Sequence, residues 1–354
     1  MGNNFIAHTD STHRGVSPYR RKDFIYVSNS HKKEYHQIYS DERDKPYVFH
    51  HHKNISVTLR GNDNYNFTFD TDKNGFRGFN KETTSNASII LIGDSIVEGS
   101  SVETAETFGA VLEKKTGITT YNLGVGSYNT KHAYELLKSK YDSDLNAKLI
   151  ILGYCLNDTA QNIYLRYFDP NLSNWNIYNY LDETADKNTG LKAIRTNEVP
   201  ISEKVKRILR KTKIYHLLVE AKNRLIKKTE NNGMYLLKDV KPVDLHYTKK
   251  HLLDIKNFSE SIGAKLVVII FPSQAQLESD LTIDELQQSA IIKILNTLEI
   301  RHIEIYEAFK REYNENPEIR WFHDVIHPYK AGHEFIGNYL SNNLDLSRFN
   351  SSSQ

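Results

Sequence analysis

Apolar residues alternate with polar ones in some stretches and fall at helical spacing in others, and the two periods divide the chain into regions. Residues 1 to about 45 are polar, rich in Ser, Tyr, His, Lys and Arg, and hold no sustained period, which predicts an irregular arm. Ile55, Val57 and Leu59 alternate with polar neighbours before Gly61-Asn62-Asp63-Asn64, and Phe67 and Phe69 alternate after it, so two short strands about a turn are expected. Lys73-Asn74-Gly75-Phe76-Arg77-Gly78 reads as a loop whose glycines allow a tight reversal.

Beyond that loop, strand and helix signals alternate, the pattern of a parallel sheet covered on both faces. Ser88 to Ile92 is the first expected strand, Thr119 to Leu123 the second and Leu149 to Leu152 the third. Between them lie a helix with Phe108, Val111 and Leu112 on one face and Gly117 placed to end it, and a helix with Ala133, Leu136, Leu137 and then Tyr141. Lys265 to Pro272 is the clearest buried strand, and Arg301 to Tyr306 is a fifth. The last helix starts after Pro328 and offers Phe335, Ile336, Tyr339 and Leu340 to the core.

The stretch from about 161 to 247 is too long for a simple loop in a compact domain. Val205, Ile208, Leu209, Ile214, Leu217, Leu218, Ala221 and Leu225 predict a helical insertion there, standing above the edge where the sheet's strands end. Its basic run, Lys204, Lys206, Arg207, Arg210, Lys211 and Lys213, reads as the wet face of that helix. The organisation is thus an N-terminal arm and hairpin over residues 1–85 and an α/β domain over 86–346.

Composition narrows the function. The 354 residues are 39% hydrophobic and 25% charged, ordinary for a globular protein, and 46 basic against 44 acidic side chains leave a net charge of +2. That balance argues against a general nucleic-acid-binding surface. Cys155 is the single cysteine, so neither an internal disulfide nor a four-cysteine metal site is possible. No stretch is apolar for about 18 residues and the first residues lack a signal-peptide core, so no membrane span is expected and the chain as written reads as cytoplasmic. His50-His51-His52 cannot all face one ion, and the expectation is a solvated cluster with no metal and no cofactor.

The chemistry concentrates at two places. The apolar run Ile89 to Ile92 ends abruptly in Gly93-Asp94-Ser95, a turn that presents a serine hydroxyl at a strand end with its own N–H available to developing negative charge. A hydroxyl needs a base to become a nucleophile. In Trp321-Phe322-His323-Asp324-Val325-Ile326-His327-Pro328, Asp324 lies three residues before His327, a spacing that lets a carboxylate orient an imidazole toward Ser95. Asp94 is expected to brace the turn, His323 to point away and His333 to lie too far into the last helix to serve as base.

Four ordered blocks resemble those of the SGNH, or GDSL, hydrolases: Gly93-Asp94-Ser95, then Asn122-Leu123-Gly124-Val125-Gly126-Ser127-Tyr128, then Asn157-Asp158, then Asp324 to His327. With their flanking elements they run from about Gly75 to Leu344. Larger bacterial members often carry Asn-x-Gly-Phe-Arg before the first block; Asn74-Gly75-Phe76-Arg77 is similar but lacks the intervening residue. The resemblance implies a three-layer α/β/α sandwich with a flavodoxin-like parallel sheet, and an acyl-enzyme on Ser95 with His327 as base and Asp324 as its orienting acid. It also implies an oxyanion hole made of the Ser95 N–H, the Asn157 amide and a backbone N–H that falls on either Gly126 or Ser127 according to how the turn is registered. Cys155 stands where the family usually has glycine, two residues before the asparagine, and reads as a small buried filler.

The activity implied is hydrolysis of a small ester, with an O-acetyl group on a carbohydrate as the substrate that larger bacterial relatives point to. Tyr154, Tyr164, Tyr167, Trp175 and Tyr178 are aromatics that can stack on sugar rings or pack in a core or interface. Two other readings use the same residues: an O-acyltransferase that passes the acyl group to a glycan hydroxyl, and a non-catalytic glycan-binding protein on a hydrolase fold.

Overall fold

The computed structural model describes residues 39–45, 48–60, 66–77, 87–126, 128–140, 147–155, 158–159, 162, 245–324 and 326–346. The chain enters through two antiparallel pairs. Strand β1 (Tyr39–Lys45), within the stretch the sequence reads as an irregular arm, pairs with β2 (Val48–His51). Strands β3 (Ser56–Arg60) and β4 (Asn66–Asp70) form the expected hairpin, with Val57 opposite Phe69 and Leu59 opposite Phe67.

The remaining elements alternate: β5 (Ile89–Ile92), α1 (Ser95–Glu98), α2 (Phe108–Thr116), β6 (Thr120–Asn122), α3 (Thr130–Lys140), β7 (Leu149–Tyr154), α4 (His246–Ser261), β8 (Lys265–Ile270), α5 (Gln274–Leu277), α6 (Gln287–Thr297), β9 (Arg301–Glu304), α7 (Tyr306–Glu315) and α8 (Lys330–Asn343). The five strands from β5 onward form one parallel sheet in the order β6-β5-β7-β8-β9. Counted along the sheet's own strands this is 2-1-3-4-5, the flavodoxin-like order, with its switch point between β5 and β7.

The period of two along β5 sorts the layers. Ile90 and Ile92 join Ala133, Leu136, Leu252, Ile255, Ile291 and Leu295, so α3, α4 and α6 cover one face. Ile89 and Leu91 join Phe108, Leu112, Phe309, Ile336 and Leu340, so α2, α7 and α8 cover the other. Both faces being covered explains why β5 and β7 are buried along their whole length and read as unbroken apolar runs. Helix α2 begins where the Thr107 hydroxyl accepts the Ala110 N–H at 3.3 Å and ends at Gly117 in the left-handed region, the stop its sequence predicts. Most of the expected insertion, and the basic run within it, lies outside the described residues.

The N-terminal hairpin is built into the domain. Leu59, Phe67 and Phe69 belong to the core beside α3, and the Thr68 N–H donates to Glu103 at 3.0 Å. Arg77, fully buried, donates to the carbonyls of Thr68 (3.2 Å) and Val102 (2.8 Å), to Gly99 and to the Thr104 hydroxyl (3.0 Å), with Phe69 against its guanidinium. Burial pulls its pKa down to about 10, against the pull of Glu98 and other nearby carboxylates, yet it stays a cation at neutral pH. One side chain thus satisfies the backbone of the segment that follows α1. Arg77→Met, which keeps the stem and removes the donors, is expected to lower unfolding free energy by about 3 kcal/mol or more, because it strands several buried carbonyls. Urea denaturation with an unchanged slope checks this, and a loss below about 1 kcal/mol contradicts it.

Candidate active site

Strand β5 ends at Gly93, whose φ of 151° and tight surroundings leave no room for a side chain: a Cβ would fall 2.5 Å from Val97 Cγ2 and 2.8 Å from the Gly153 carbonyl. Asp94 is the N-cap of α1, its Oδ1 accepting the Ile96 N–H at 2.9 Å, so the expected brace is seen. Ser95 is the first residue of that helix, where a backbone N–H has no intrahelical acceptor. The turn sits at the carboxyl end of β5, beside the switch point, where open α/β sheets bind ligands.

The structure brings Ser95 and His327 together. Ser95 Oγ and His327 Nε2 are 2.8 Å apart, and His327 Nδ1 and Asp324 Oδ2 are 2.7 Å apart. Asp324 Oδ1 accepts the N–H groups of Ile326 (2.9 Å) and His327 (3.0 Å), so the carboxylate is held by its own loop and caps nothing in α8, whose N-cap is Tyr329. The loop is clamped across its base by the bridge between Phe322 and Pro328 and by the His323 N–H donating to the His327 carbonyl at 2.8 Å.

Electrostatics match this geometry. Burial works against an imidazolium at His327, but the Asp324 carboxylate, with Asp94 and Glu98 further off, more than offsets it and raises the pKa above its ordinary value. At Asp324 burial acts upward, and His327 with the two amide donors overcomes it, holding the carboxyl well below the usual carboxylate range. The arrangement can take a proton from Ser95 onto His327 while Asp324 fixes the tautomer.

The second block packs against α1. Asn122 Nδ2 donates to the Val97 carbonyl and its Oδ1 accepts the Gly124 N–H, both at 2.8 Å. A Cβ on Gly124 would lie 2.4 Å from the Glu98 nitrogen, so glycine there permits the contact. The Gly126 N–H donates to Glu98 Oε1 at 2.8 Å. Of the two alternative backbone donors expected for the oxyanion, Gly126 has its N–H engaged by a carboxylate. Ser127 and Asn157 lie outside the described residues.

The histidine run also differs from expectation. His50 and His51 are buried, at 3% and 0% exposure, and are no solvated cluster. His51 Nε2 meets Glu98 Oε1 at 2.7 Å and His51 Nδ1 meets the Gly75 carbonyl at 3.0 Å. Among the described residues no group of three or more metal-binding side chains forms. Glu98 is the residue sequence reasoning missed; its signal was a carboxylate three positions after Ser95 in an otherwise apolar helix.

The competing candidates take structural places. His333 is buried, its Nδ1 accepting the Phe108 N–H at 3.2 Å, and burial together with Arg77 and His327 lowers its pKa to about 3. Cys155 lies in the core, and its N–H donates to Asp158 Oδ2 at 3.0 Å. Burial, reinforced by Asp94, pushes Asp158 well above the usual carboxylate range. Tyr154 is fully buried with its hydroxyl 2.7 Å from that of Thr159, a core residue, while Tyr164, Tyr167, Trp175 and Tyr178 are outside the described residues.

No curated protein matches the chain. Solved structures similar to it include a member of the lipolytic protein G-D-S-L family from Veillonella parvula DSM 2008 (12% identity, 72% of this chain and 97% of that one, TM-score 0.39). A lipase/acylhydrolase from Enterococcus faecalis is 11% identical over 76% of this chain and 99% of its own, with TM-score 0.41, and the acetyl xylan esterase AlAXEase is 11% identical over 72% and 99%, with TM-score 0.41. The family described as GDSL-like Lipase/Acylhydrolase matches residues 89–340. A match that runs from the first strand of the parallel sheet into its last helix makes the chain a member of the GDSL-like lipase/acylhydrolase family.

Proposed function

We propose that the protein is a serine esterase that hydrolyses a small ester, an O-acetyl group on a carbohydrate being the substrate class, through an acyl-serine intermediate. The single observation that carries this is the hydrogen-bonded sequence from Ser95 Oγ to His327 Nε2 (2.8 Å) and from His327 Nδ1 to Asp324 Oδ2 (2.7 Å). Ser95 attacks the ester carbonyl as His327 takes its proton; His327 then returns that proton to the departing alcohol. Water, activated by the same imidazole, attacks the acyl-enzyme and restores Ser95. The oxyanion formed at each attack is met by the Ser95 N–H, the Asn157 amide and the backbone N–H of Ser127, since that of Gly126 is held by Glu98. The ester class is supported by family membership, and the carbohydrate by the resemblance of Asn74-Gly75-Phe76-Arg77 to the element that precedes the nucleophile in larger bacterial relatives.

Purified protein is expected to turn over p-nitrophenyl acetate and to release acetate from an O-acetylated polysaccharide. Ser95→Ala should lower turnover by at least about 10³-fold, and a fluorophosphonate should label Ser95 alone on peptide mapping. A mass shift on another residue, or Ser95→Ala turnover equal to wild type, rejects the assignment; acetate release from the simple ester alone rejects the carbohydrate.

The pH profile is a separate test. Catalysis requires neutral His327, so kcat/KM rises with pH through the free-enzyme pKa of that imidazole. Because that pKa is raised, the acid limb should have its midpoint above the ordinary imidazole value of 6.5. Asp324→Asn removes the charge that raises it, so the limb should move to lower pH while the plateau falls by on the order of 10⁴-fold. A limb that stays in place in the variant contradicts the role given to Asp324.

A further inference from the structure

The buried link between β2 and the second block serves no purpose in the proton transfer just described. Glu98, the last residue of the helix that Ser95 opens, is 2% exposed and is satisfied on both oxygens: Oε1 by the Gly126 N–H (2.8 Å) and His51 Nε2 (2.7 Å), Oε2 by the Ser100 hydroxyl (2.7 Å). Burial alone acts to raise its pKa, but His51, Gly126 and Ser100 overcome this and hold the carboxyl below its ordinary value. His51 is fixed from its other side, since Nδ1 faces the Gly75 carbonyl at 3.0 Å, an atom that can only accept. Gly75 in turn belongs to a turn in which Asp72 Oδ1 accepts the N–H groups of Asn74 (2.8 Å) and Phe76 (2.9 Å). Phe69 meets the His51 ring edge-on at 5.0 Å.

The geometry points to His51 and Glu98 as positioning residues for ester hydrolysis: the Asp72 turn holds His51, His51 holds Glu98, and Glu98 holds the Gly126 backbone in register with Ser95. This rests on the esterase reading above. Its physical content is that oxyanion donors supplied by a loop are useful only if that loop cannot drift relative to the nucleophile, and a misplacement of about 1 Å costs on the order of 10²-fold in rate. A backbone amide tied to a carboxylate three residues along the helix from Ser95 meets that demand, because nucleophile and loop then move together. Strand β2 and the turn after β4 thereby become part of the catalytic apparatus through Glu98.

The requirement is for an acceptor at Glu98, and substitutions separate this from charge and from bulk. Glu98→Met keeps length and loses both acceptors. Glu98→Gln keeps a carbonyl oxygen for Gly126 and His51, and the Ser100 hydroxyl can rotate to accept from the new amide. With p-nitrophenyl acetate, Glu98→Met is expected to lose about 10- to 100-fold in kcat, with KM changed by less than about 3-fold, and to be labelled by a fluorophosphonate more slowly by a similar factor. Glu98→Gln should stay within about 3-fold of wild type. His51→Leu should behave as Glu98→Met, His51→Gln should recover most of the loss, and the Met/Leu double variant should cost no more than the worse single one.

A folded Glu98→Met variant with wild-type kcat, or a loss confined to KM, overturns the inference. If thermal melting shows that Glu98→Met and His51→Leu do not fold, Glu98→Gln decides: a folded Gln variant slowed more than about 10-fold shows that charge, not acceptor geometry, matters, and overturns it. The esterase reading fails separately, when wild-type protein neither turns over the ester nor takes the label on Ser95. Equal labelling of Ser95 in wild type and all variants removes the positioning role and leaves the esterase standing.

Discussion

The hydrogen bond between Ser95 and His327 spans 232 residues of chain, and everything else in the domain bears on whether those two atoms stay 2.8 Å apart. Closing so long a loop is entropically costly, and a single hydrogen bond, worth about 1 kcal/mol net, does not hold it. The sheet and its helices do. Only Gly93 and Asp94 separate β5 from Ser95 and only Pro328 and Tyr329 separate His327 from α8, and α8 lies against α2 on the same face. Between those helices the Phe108 N–H donates to His333 Nδ1 at 3.2 Å, with the two rings stacked at 6.0 Å, so the elements just beyond each reacting group are joined to one another. His333, a rival for the base by sequence position, instead fixes the place of the true neighbour of Ser95.

A second constraint is the burial of charge. Glu98, Arg77 and Asp94 are each at most 2% exposed, and an isolated buried ion costs several kcal/mol. Glu98 and Arg77 draw their partners from different segments, Glu98 from β2 and the second block and Arg77 from carbonyls of β4 and of the stretch after α1, while Asp94 caps the helix that follows it. The polar network therefore does what apolar packing does poorly, which is to specify one register among segments that would otherwise slide.

Much of this architecture was legible in the chain. The five strands of the sheet and the helices α2, α3 and α8 follow from periodicity, Gly117 and Pro328, because a buried parallel strand and a capped amphipathic helix leave strong local signals. The pairing of Asp324 with His327 was visible as a three-residue spacing, and the meeting with Ser95 followed from the order of the blocks. What was not legible depends on long-range contact. Nothing local distinguishes a buried His51 from a wet one, since its partners are 47 and 24 residues away, and Tyr39–Lys45 pairs as a strand despite a polar sequence that carries no alternation. Gly126 illustrates the same limit at finer scale: the contact of its N–H with Glu98, 28 residues earlier, leaves no local signal in the motif.

The distribution of negative charge around His327 also has a chemical logic. The proposed attack by Ser95 would form an imidazolium at His327, and the carboxylates of Asp324, Asp94 and Glu98 all favour it. The oxyanion that forms at the same moment would be opposed by the same field. The opposition is blunted at two points. At Asp158, burial and then Asp94 push the carboxyl well above the usual carboxylate range, a direction that disfavours its charge. Glu98 is hydrogen-bonded by His51, the Gly126 amide and the Ser100 hydroxyl, and Asp324 is the carboxylate in direct contact with the imidazole. The environments of four carboxyl groups are thus set apart, so that the one bonded to His327 is the one whose ionisation the reaction needs.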